Sequence, residues 1–317
     1  MNTGGTGCAV GSNRAAEVAA RLRGRVCADT VVRVCEPLAA HTTLRVGGPA
    51  DVYVEPASEQ DLSLVLKLCR EEGLPWLVIG RGSNLLVKDG GFRGVVIRLA
   101  HKAFARIEVV GTELECGSGA MLKDVFAAAA AHGIAGFEFM DGIPGTVGGA
   151  LRMNAGAMGA WTFDLLERVR YMDAAGAVGE APRAQLAAEY RGCTFFDEHV
   201  ALSAVFRGTA GDPAQITARA QLFRQKRQLT QPAGPSAGCV FKNPPGAHAG
   251  KLIDELGLKR ARVGGAFVSE KHANFILTEP GATAADVLRL IELIRERVRT
   301  ERGIELETEV RIVGEER

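Results

Sequence analysis

Glycine is the residue that most constrains how this chain can fold. It accounts for 39 of the 317 residues, about 12% against a usual ~7%, and it is concentrated in clusters at 80–82, 117–119 and 142–149. Without a Cβ atom, glycine lets the backbone turn tightly or approach another group closely. No cluster matches the dinucleotide fingerprint Gly-x-Gly-x-x-Gly or the phosphate loop Gly-x-x-x-x-Gly-Lys-Ser/Thr. The sequence therefore argues against a Rossmann or P-loop site.

The separation of the three clusters along the chain favours a groove rather than a single loop. Backbone N–H groups that converge from several turns can hold a long ligand, as anion-binding nests do. Tight turns between strands would produce the same clustering. The glycines alone leave both interpretations open.

The composition favours a cytoplasmic globular protein of several domains. Hydrophobic residues make up 47% of the chain and charged residues 24%, which is enough apolar material for two or three cores. A net charge of +1 gives no broad field for nucleic acid or an anionic membrane. Seven cysteines without a Cys-x-x-Cys pair argue against a disulfide framework or a zinc site. No segment resembles a membrane span or signal peptide, and we expect Met1–Asn13 to be disordered.

Local signals predict an α/β unit in the first 100 residues. Ser58 is typical of a helix N-cap, because Asp61 follows three residues later. A strand then leads into the first glycine cluster, and ligands in open α/β sheets bind beyond such strand ends. The predicted elements are helices at 13–22 and after Ser58, and strands at 31–34, 52–54 and 76–79.

The rest of the chain predicts two further regions. After Gly94 the pattern is rich in strands, and after residue 210 helices alternate with strands. The predicted strands lie at 95–99, 107–110, 113–116, 169–172, 200–206, 275–278 and 309–313. The predicted helices lie at 121–132, 213–229, 251–256 and after the cap residue Thr283. We therefore divide the chain into domains at 1–100, 101–210 and 211–317.

Residues 236–245, Ser-Ala-Gly-Cys-Val-Phe-Lys-Asn-Pro-Pro, combine a potentially acidic thiol, an ammonium group and an amide. Prolines on both sides predict a rigid loop, where binding and catalytic groups tend to lie. A plain turn between elements is the alternative. Arg191 and Glu309 lie far away in the sequence. A thiol, a cation and a carboxylate that meet in the fold would suit chemistry on a small carboxylated substrate.

Seven short segments occur in one order between residues 40 and 313. They are Thr-Thr-Leu-Arg-Val-Gly-Gly (42–48), Ile-Gly-Arg-Gly-Ser-Asn-Leu-Leu (79–86), Gly-Ile-Pro-Gly-Thr-Val-Gly-Gly (142–149), Met-Asn-Ala-Gly (153–156), Glu-Tyr-Arg (189–191), Gly-Cys-Val-Phe-Lys-Asn-Pro (238–244) and Glu-Val-Arg (309–311). In order and spacing they resemble the UDP-N-acetylenolpyruvoylglucosamine reductase family. The short span between Arg191 and Cys239 is similar to that of the second subclass, which lacks a long tyrosine-bearing loop.

This resemblance implies an α+β flavoprotein of three domains. Two domains would form a two-part FAD-binding region of the vanillyl-alcohol-oxidase/PCMH type, and a C-terminal α/β domain would bind the UDP-sugar. NADPH would reduce noncovalently bound FAD, which would then reduce UDP-N-acetylglucosamine enolpyruvate to UDP-N-acetylmuramate in peptidoglycan precursor synthesis. The implied partner is a small molecule, and we expect a monomer. The preference for NADPH over NADH stays open.

The resemblance assigns the chemistry to Arg191, Glu309 and Cys239. Hydride addition to the enolpyruvyl group leaves negative charge conjugated with its carboxylate, which Arg191 and a protonated Glu309 would stabilise. The family protonates the resulting enol with a serine, whereas this chain has Cys239. A thiol has a reference pKa of about 8.5, so we expect Cys239 to donate the proton and to be sensitive to oxidation. An inert buried cysteine is the alternative.

The resemblance also implies contacts for the two ligands. The FAD contacts would be Arg45, Gly80, Arg81, Gly82, Ser83, Asn84, Leu85, Gly117, Ser118, Gly119, Gly142, Ile143, Gly145, Thr146, Gly148, Gly149, Asn154, Ala155 and Gly156. The substrate contacts would be Tyr190, Asn243 and Arg311. The roles that stay open are those of Cys193, Arg224, Lys226, Arg227, Lys242, His272 and Asn274. Neither His101 nor His132 lies in a context that suggests covalent flavin attachment.

Two other classes of protein stay open from the sequence. The glycine clusters alone would also fit a different flavin oxidase or dehydrogenase on the same scaffold. The replacement of serine by Cys239 would fit a nucleotide-sugar-binding protein without catalytic activity. The 236–245 segment and Glu309 favour the reductase over both.

Overall fold

The computed structural model describes residues 12–316, and their regular elements fall into three regions along the chain. Most of the predicted disordered segment, Met1–Asn13, lies outside the described residues. None of the described helices is long and apolar enough to span a membrane.

The first region is a four-stranded sheet with two helices. Its order is β1-β2-β5-β3, in which β1 is antiparallel to β2 and the other neighbours are parallel. Apolar side chains from both helices and the sheet form one core cluster. The elements are α1 (Ser12–Arg23), β1 (Val31–Pro37), β2 (Pro49–Glu55), α2 (Glu59–Glu71), β3 (Trp76–Ile79), β4 (Leu85–Val87) and β5 (Phe92–Arg98).

Helix α2 begins where the sequence predicts. The Ser58 hydroxyl accepts a hydrogen bond from the Asp61 N–H, which is one of the donors that a helix N-terminus leaves without an internal partner. The Asp61 carboxylate in turn accepts from the Ser58 and Thr30 hydroxyls. After the helix, Gly73 adopts a φ of +60°, which turns the chain back into β3 and toward the first glycine cluster.

The second region is built on a five-stranded antiparallel sheet of order β12-β11-β15-β7-β6. Three short pairs, β9 with β10, β13 with β14 and β8 with β16, project from it. Its core cluster also includes Ile216 and Ala220 of α6. The elements are β6 (Ile107–Val110), β7 (Glu113–Gly117), α3 (Leu122–Ala131), β8 (Ile134–Ala135), α4 (Val147–Arg152), β9 (Gly156–Ala157), β10 (Ala160–Trp161), α5 (Thr162–Leu165), β11 (Leu166–Asp173), β12 (Val178–Pro182), β13 (Ala188–Glu189), β14 (Gly192–Cys193), β15 (His199–Arg207), β16 (Thr209–Ala210) and α6 (Pro213–Thr230).

The third region is a four-stranded antiparallel sheet of order β17-β20-β19-β18 with two helices. The last strand leaves it and pairs in parallel with β4 of the first region. The elements are β17 (Ser236–Cys239), α7 (Ala249–Glu255), β18 (Arg262–Val263), β19 (Ala266–Val268), β20 (Phe275–Thr278), α8 (Ala284–Arg302) and β21 (Arg311–Val313).

Three expectations from the sequence need correction. Segment 236–245 is not a loop throughout, because its first four residues form strand β17, with an irregular register between Ser236 and Cys239. Strand β12, the partner of β11, was not predicted from the sequence. Finally, Cys35 is disulfide-bonded, although the cysteine spacing argued against a disulfide framework.

The first and third regions are joined by hydrogen bonds as well as by strand pairing. The Asp89 carboxylate accepts from the N–H groups of Ala284 and Ala285 at 2.9 and 2.8 Å, so it satisfies two free donors at the start of α8. The buried Thr278 hydroxyl donates to the Leu44 carbonyl oxygen at 2.6 Å. These contacts fix the third region beside the glycine clusters.

We predict that Thr283→Ala lowers the free energy of unfolding by about 0.5–2 kcal/mol. The Thr283 hydroxyl accepts from the Asp286 N–H, and the Asp286 carboxylate accepts from the Thr283 N–H; alanine leaves the first donor without its partner. Denaturant unfolding followed by circular dichroism measures the change. Thr283→Ser keeps the hydroxyl and should unfold like the natural chain. Equal losses in both variants would assign the effect to the methyl group instead.

Candidate active site

A groove of about 990 Å³ lies where the three regions meet. Its walls come from the ends of β3 and β7, the first turn of α4, strand β17 and the segment before β21. The structure brings most of the predicted site residues together here. Those that line the groove are Gly80, Arg81, Gly82, Ser83, Asn84, Leu85, Ser118, Gly119, Ile143, Gly145, Thr146, Gly148, Gly149, Ala155, Gly156, Arg191, Cys239, Glu309 and Arg311.

Six predicted site residues do not line the groove: Arg45, Gly117, Gly142, Asn154, Tyr190 and Asn243. Gly117 serves chain packing, because a Cβ there would lie 2.2 Å from the Phe104 carbonyl oxygen. The Asn243 side-chain oxygen accepts from the Ala249 N–H at the start of α7. Arg45 is exposed. Their sequence-based assignments to a ligand therefore gain no support from the structure.

The glycines of the groove differ in what they do. At Gly82 a Cβ would lie 2.2 Å from the His41 carbonyl oxygen, so this glycine is required by the packing of the chain itself. At Gly145 and Gly149 the atoms nearest to an added Cβ would lie 3.8 and 3.6 Å away. These two glycines therefore leave the backbone of the groove wall uncovered. The Ser118 hydroxyl is buried in the same wall without a hydrogen-bond partner. This arrangement fits a ligand that lies flat against the backbone and carries polar atoms, as FAD does.

Glu309 reaches the groove because its backbone is held on both sides. Its N–H donates to the Val240 carbonyl oxygen at 2.7 Å, and its carbonyl oxygen accepts from the Asn84 side-chain amide at 3.0 Å. The Arg311 N–H donates to the Asn84 carbonyl oxygen at 3.0 Å. Asn84 belongs to the first glycine cluster, and Val240 follows Cys239. The same contacts that fix Glu309 therefore also set its distance from both segments.

Arg191 meets Glu309 in the groove. Its Nε lies 2.8 Å from Glu309 Oε1, with the side chains only 20% and 13% exposed. The Nε–H does not point along this contact well enough to form a hydrogen bond, so the attraction is that of an ion pair. Arg191 also has a φ of +63°, a left-handed backbone that non-glycine residues seldom adopt. Backbone strain of this kind is found most often at functional positions.

Burial and neighbouring charges set the protonation of the two acids. Burial raises the pKa of Glu309 above its ordinary value, although Arg191 and Lys242 act in the opposite direction. Burial also raises the pKa of the Cys239 thiol, to about 12; Glu309 adds to the effect, and Arg191 and Arg227 oppose it. The thiol is therefore less acidic than the reference value used in the sequence analysis. Cys239 is a neutral S–H group at neutral pH.

Asn274, whose role the sequence left open, shapes the backbone beside Cys239. Its side-chain oxygen accepts from the Phe241 N–H at 2.9 Å, and its amide donates to the Phe241 carbonyl oxygen at 2.8 Å. The residue is 3% exposed and is not part of the groove lining. Asn274 therefore holds the thiol-bearing segment in place rather than facing a ligand.

Of the cationic residues whose roles the sequence left open, some line the groove and others lie at the surface. Arg227 lines the groove, and its side chain covers Gly142, where a Cβ would lie 2.4 Å from Arg227 Cδ. Arg224 instead pairs with Asp141, and Lys242 with Glu307. Burial lowers the pKa of His272, and this histidine is not part of the groove lining.

Sequence reasoning missed two residues at this site. Arg152 lines the groove, donates to the Cys193 carbonyl oxygen and pairs with Asp197. The Trp161 indole lies against Arg191, with 5.2 Å between its ring centroid and the guanidinium carbon. The position of Arg152 between the matched segments 142–149 and 153–156 was a usable signal. Trp161 gave none, because its contact with Arg191 joins two hairpins that are separate in the sequence.

We predict that iodoacetamide alkylates Cys239 only slowly near neutral pH. Raising the pKa from 9.0 to about 12 lowers the fraction of reactive thiolate by about a thousandfold at a given pH. Peptide mass spectrometry over time measures the rate, with the exposed Cys27 as an internal reference. The Cys239 rate should still rise about tenfold per pH unit at pH 10. A plateau near pH 9 would show an ordinary thiol.

Two family models match this chain. The model described as the C-terminal domain of UDP-N-acetylenolpyruvoylglucosamine reductase matches residues 228–313, and the model described as an FAD binding domain matches residues 50–181. The FAD-binding model covers all three glycine clusters, and the C-terminal-domain model covers Cys239 and Glu309. The two models together therefore include the glycine-lined wall of the groove and the segments that carry Cys239 and Glu309.

Complete proteins with the same name are similar along nearly the whole chain. The UDP-N-acetylenolpyruvoylglucosamine reductase of Geobacter metallireducens is 45% identical over 302 residues, which cover 95% of this chain and 98% of the relative. That of Clostridioides difficile is 44% identical over 90% of this chain and 94% of its own length. The crystal structure of the Thermus caldophilus reductase superposes with a TM-score of 0.78 at 35% identity, covering 90% of this chain and 99% of that one. These matches confirm the α+β flavoprotein fold, and the chain belongs to the UDP-N-acetylenolpyruvoylglucosamine reductase family.

Proposed function

We propose that this protein reduces the enolpyruvyl ether of UDP-N-acetylglucosamine enolpyruvate to the lactyl ether of UDP-N-acetylmuramate, with FAD as the bound cofactor and NADPH as the electron source. The observation that carries the proposal is the meeting of Arg191, Cys239 and Glu309 at one groove with a glycine-lined wall. The names of relatives at 44–45% identity support the same reaction. The protein would act in the cytoplasm, as a monomer, in peptidoglycan precursor synthesis.

The glycine-lined wall would hold the cofactor noncovalently. The loop at 80–84 follows the end of β3, the position at which ligands bind in open α/β sheets. Ser118 would give its unpaired hydroxyl to a polar atom of the cofactor, and Gly145 and Gly149 would allow close approach of the backbone. When bound, FAD would supply the hydride-transfer chemistry that links a reduced nicotinamide to the terminal carbon of the enolpyruvyl group. Domains at 1–100 and 101–210 would share this task, and 211–317 would bind the UDP-sugar.

Arg191 and Glu309 would stabilise the charge that hydride addition creates. The electron pair displaced from the enol double bond spreads onto the substrate carboxylate, so a cation placed there lowers the barrier. In the structure Arg191 faces Glu309, and the substrate carboxylate would compete for the same guanidinium. A second carboxylate beside Glu309 would raise its already elevated pKa further. Glu309 would then be protonated and could donate a hydrogen bond to the substrate.

Cys239 would complete the reaction as the proton donor. Its neutral S–H would give the proton to the carbon next to the substrate carboxylate, which closes the reduction with one hydride and one proton. The elevated pKa keeps the thiol protonated before each turnover. It also makes the resulting thiolate a good base, so Cys239 would regain a proton from water. A serine hydroxyl would do the same with a higher pKa still.

Stopped-flow spectroscopy tests the function directly. The purified protein should be yellow, should release its flavin on acid denaturation, and should lose its flavin absorbance on mixing with NADPH. The enolpyruvyl sugar should then restore the absorbance, and oxygen alone should do so slowly. Reduction without reoxidation by the sugar would favour another flavin oxidase or dehydrogenase. Failure to bind flavin would favour a nucleotide-sugar-binding protein. NADH in place of NADPH measures the nicotinamide preference.

We predict that Arg191→Ala and Glu309→Gln slow reoxidation of the flavin by the enolpyruvyl sugar much more than its reduction by NADPH. Both side chains would act on the substrate carboxylate, so they belong to only one half-reaction. The rate constants of the two half-reactions, measured separately at saturating ligand, give the comparison. An equal loss in both would mean that the Arg191–Glu309 pair serves cofactor placement or shared binding.

We predict that Cys239→Ala slows reoxidation by the sugar by about 10²–10⁴-fold, the usual contribution of general acid catalysis, with normal reduction by NADPH. Cys239→Ser should keep much of the activity because it restores a donor of the family type. Mass spectrometry of the product made in D₂O reports the proton step. An alanine variant that is reoxidised at the natural rate with normal deuterium incorporation would exclude Cys239 as the acid.

A further inference from the structure

The hairpin that carries Trp161 is tied to the hairpin that carries Arg191 through Asn154. The Asn154 side-chain oxygen accepts from the Phe163 N–H at 3.2 Å, and its amide donates to the Glu189 carbonyl oxygen at 3.3 Å. Asn154 itself has a φ of +37°, which directs its side chain between the two. The Asn154 amide therefore links the start of α5, which follows β10, to strand β13.

Gly156 makes room for the indole of Trp161. The two residues face each other in the β9–β10 pair, and a Cβ at Gly156 would lie 2.3 Å from the indole Cε3. Any side chain would thus displace the ring. The Gly156 carbonyl oxygen also accepts from Arg191 Nη1 at 3.2 Å. The Met-Asn-Ala-Gly segment therefore places both an aromatic face and a hydrogen-bond acceptor beside the Arg191 guanidinium.

Two aromatic rings border this guanidinium. Its carbon lies 5.2 Å from the Trp161 ring centroid and 5.4 Å from that of Tyr190. The two rings meet edge to face, with their centroids 5.7 Å apart. Both distances are within the range of about 6 Å at which a cation is attracted by a ring face. Glu309 completes the surroundings of Arg191 on the groove side.

We propose that Trp161 is a positioning residue for Arg191. The inference rests on the proposed function, in which Arg191 exchanges Glu309 for the substrate carboxylate. During that exchange the ion pair with Glu309 no longer fixes the guanidinium, and a free arginine side chain would regain several rotamers. The indole face is present before and after the exchange. Trp161 therefore keeps Arg191 aimed into the groove while its anionic partner changes.

Trp161→Leu removes the ring face and tests the proposal. It should slow flavin reoxidation by the enolpyruvyl sugar by roughly two- to thirtyfold, the range expected for a cation–π contact, and leave reduction by NADPH within about twofold. Trp161→Phe keeps a ring face and should restore most of the rate. Phe267→Leu is the matched control, because it removes a cation–π contact of 4.9 Å with Arg262 that is outside the groove lining.

A double variant separates positioning from a general structural role. If Trp161 acts only through Arg191, adding Trp161→Leu to Arg191→Ala should cause no further slowing. Additive losses, or equal losses in both half-reactions, would overturn the proposal. If Trp161→Leu does not fold, Trp161→Met replaces it in the same cycle, because methionine adapts to irregular core space and has no ring face. A natural enzyme that the sugar does not reoxidise would instead overturn the proposed function.

Discussion

The parallel pairing of β21 with β4 is the contact on which the site depends. It brings Arg311, Ile312 and Val313 beside Leu85, Leu86 and Val87, so the end of the third region becomes part of the first. Asn84 extends this pairing, because its side-chain amide donates to the Glu309 carbonyl oxygen and its own carbonyl oxygen accepts from the Arg311 N–H. Without it, Glu309 would be tied to the third region through Val240 but not to the first glycine cluster. Because of it, the wall formed by the first glycine cluster also carries an acid.

The charges around Cys239 act in opposite directions, and burial decides the outcome. Two arginines favour the thiolate, whereas Glu309 and loss of solvent favour the neutral thiol. The result is a cysteine that differs from the reactive cysteines of nucleophilic enzymes, which lie in electropositive and partly exposed surroundings. A neutral donor suits a step that needs a proton rather than a nucleophile. The surroundings of Cys239 are therefore compatible with its proposed role as a proton donor.

The sequence predicted what depends on nearby residues. The cap of α2 at Ser58, the cap of α8 at Thr283 and strand Trp76–Ile79 were all correct, because each depends on side chains within a few positions. What escaped prediction depends on distant partners: the partner strand of β21, the burial of Cys239 and the contact between Trp161 and Arg191. Most of the residues that the family resemblance assigned to the site line the groove. The resemblance could not distinguish Gly82, which the chain's own packing requires, from Gly149, which leaves space.

The separation of Asn84 and Glu309 by 225 residues has a consequence for the order of assembly in the cell. Ribosomes add about 5–20 residues per second, so roughly 10–45 s pass between the synthesis of these two residues. During that time the first glycine cluster can form its own turns, but β4 lacks its partner strand and the groove lacks its carboxylate. A nascent chain could therefore acquire the cofactor wall well before it could perform chemistry on a sugar.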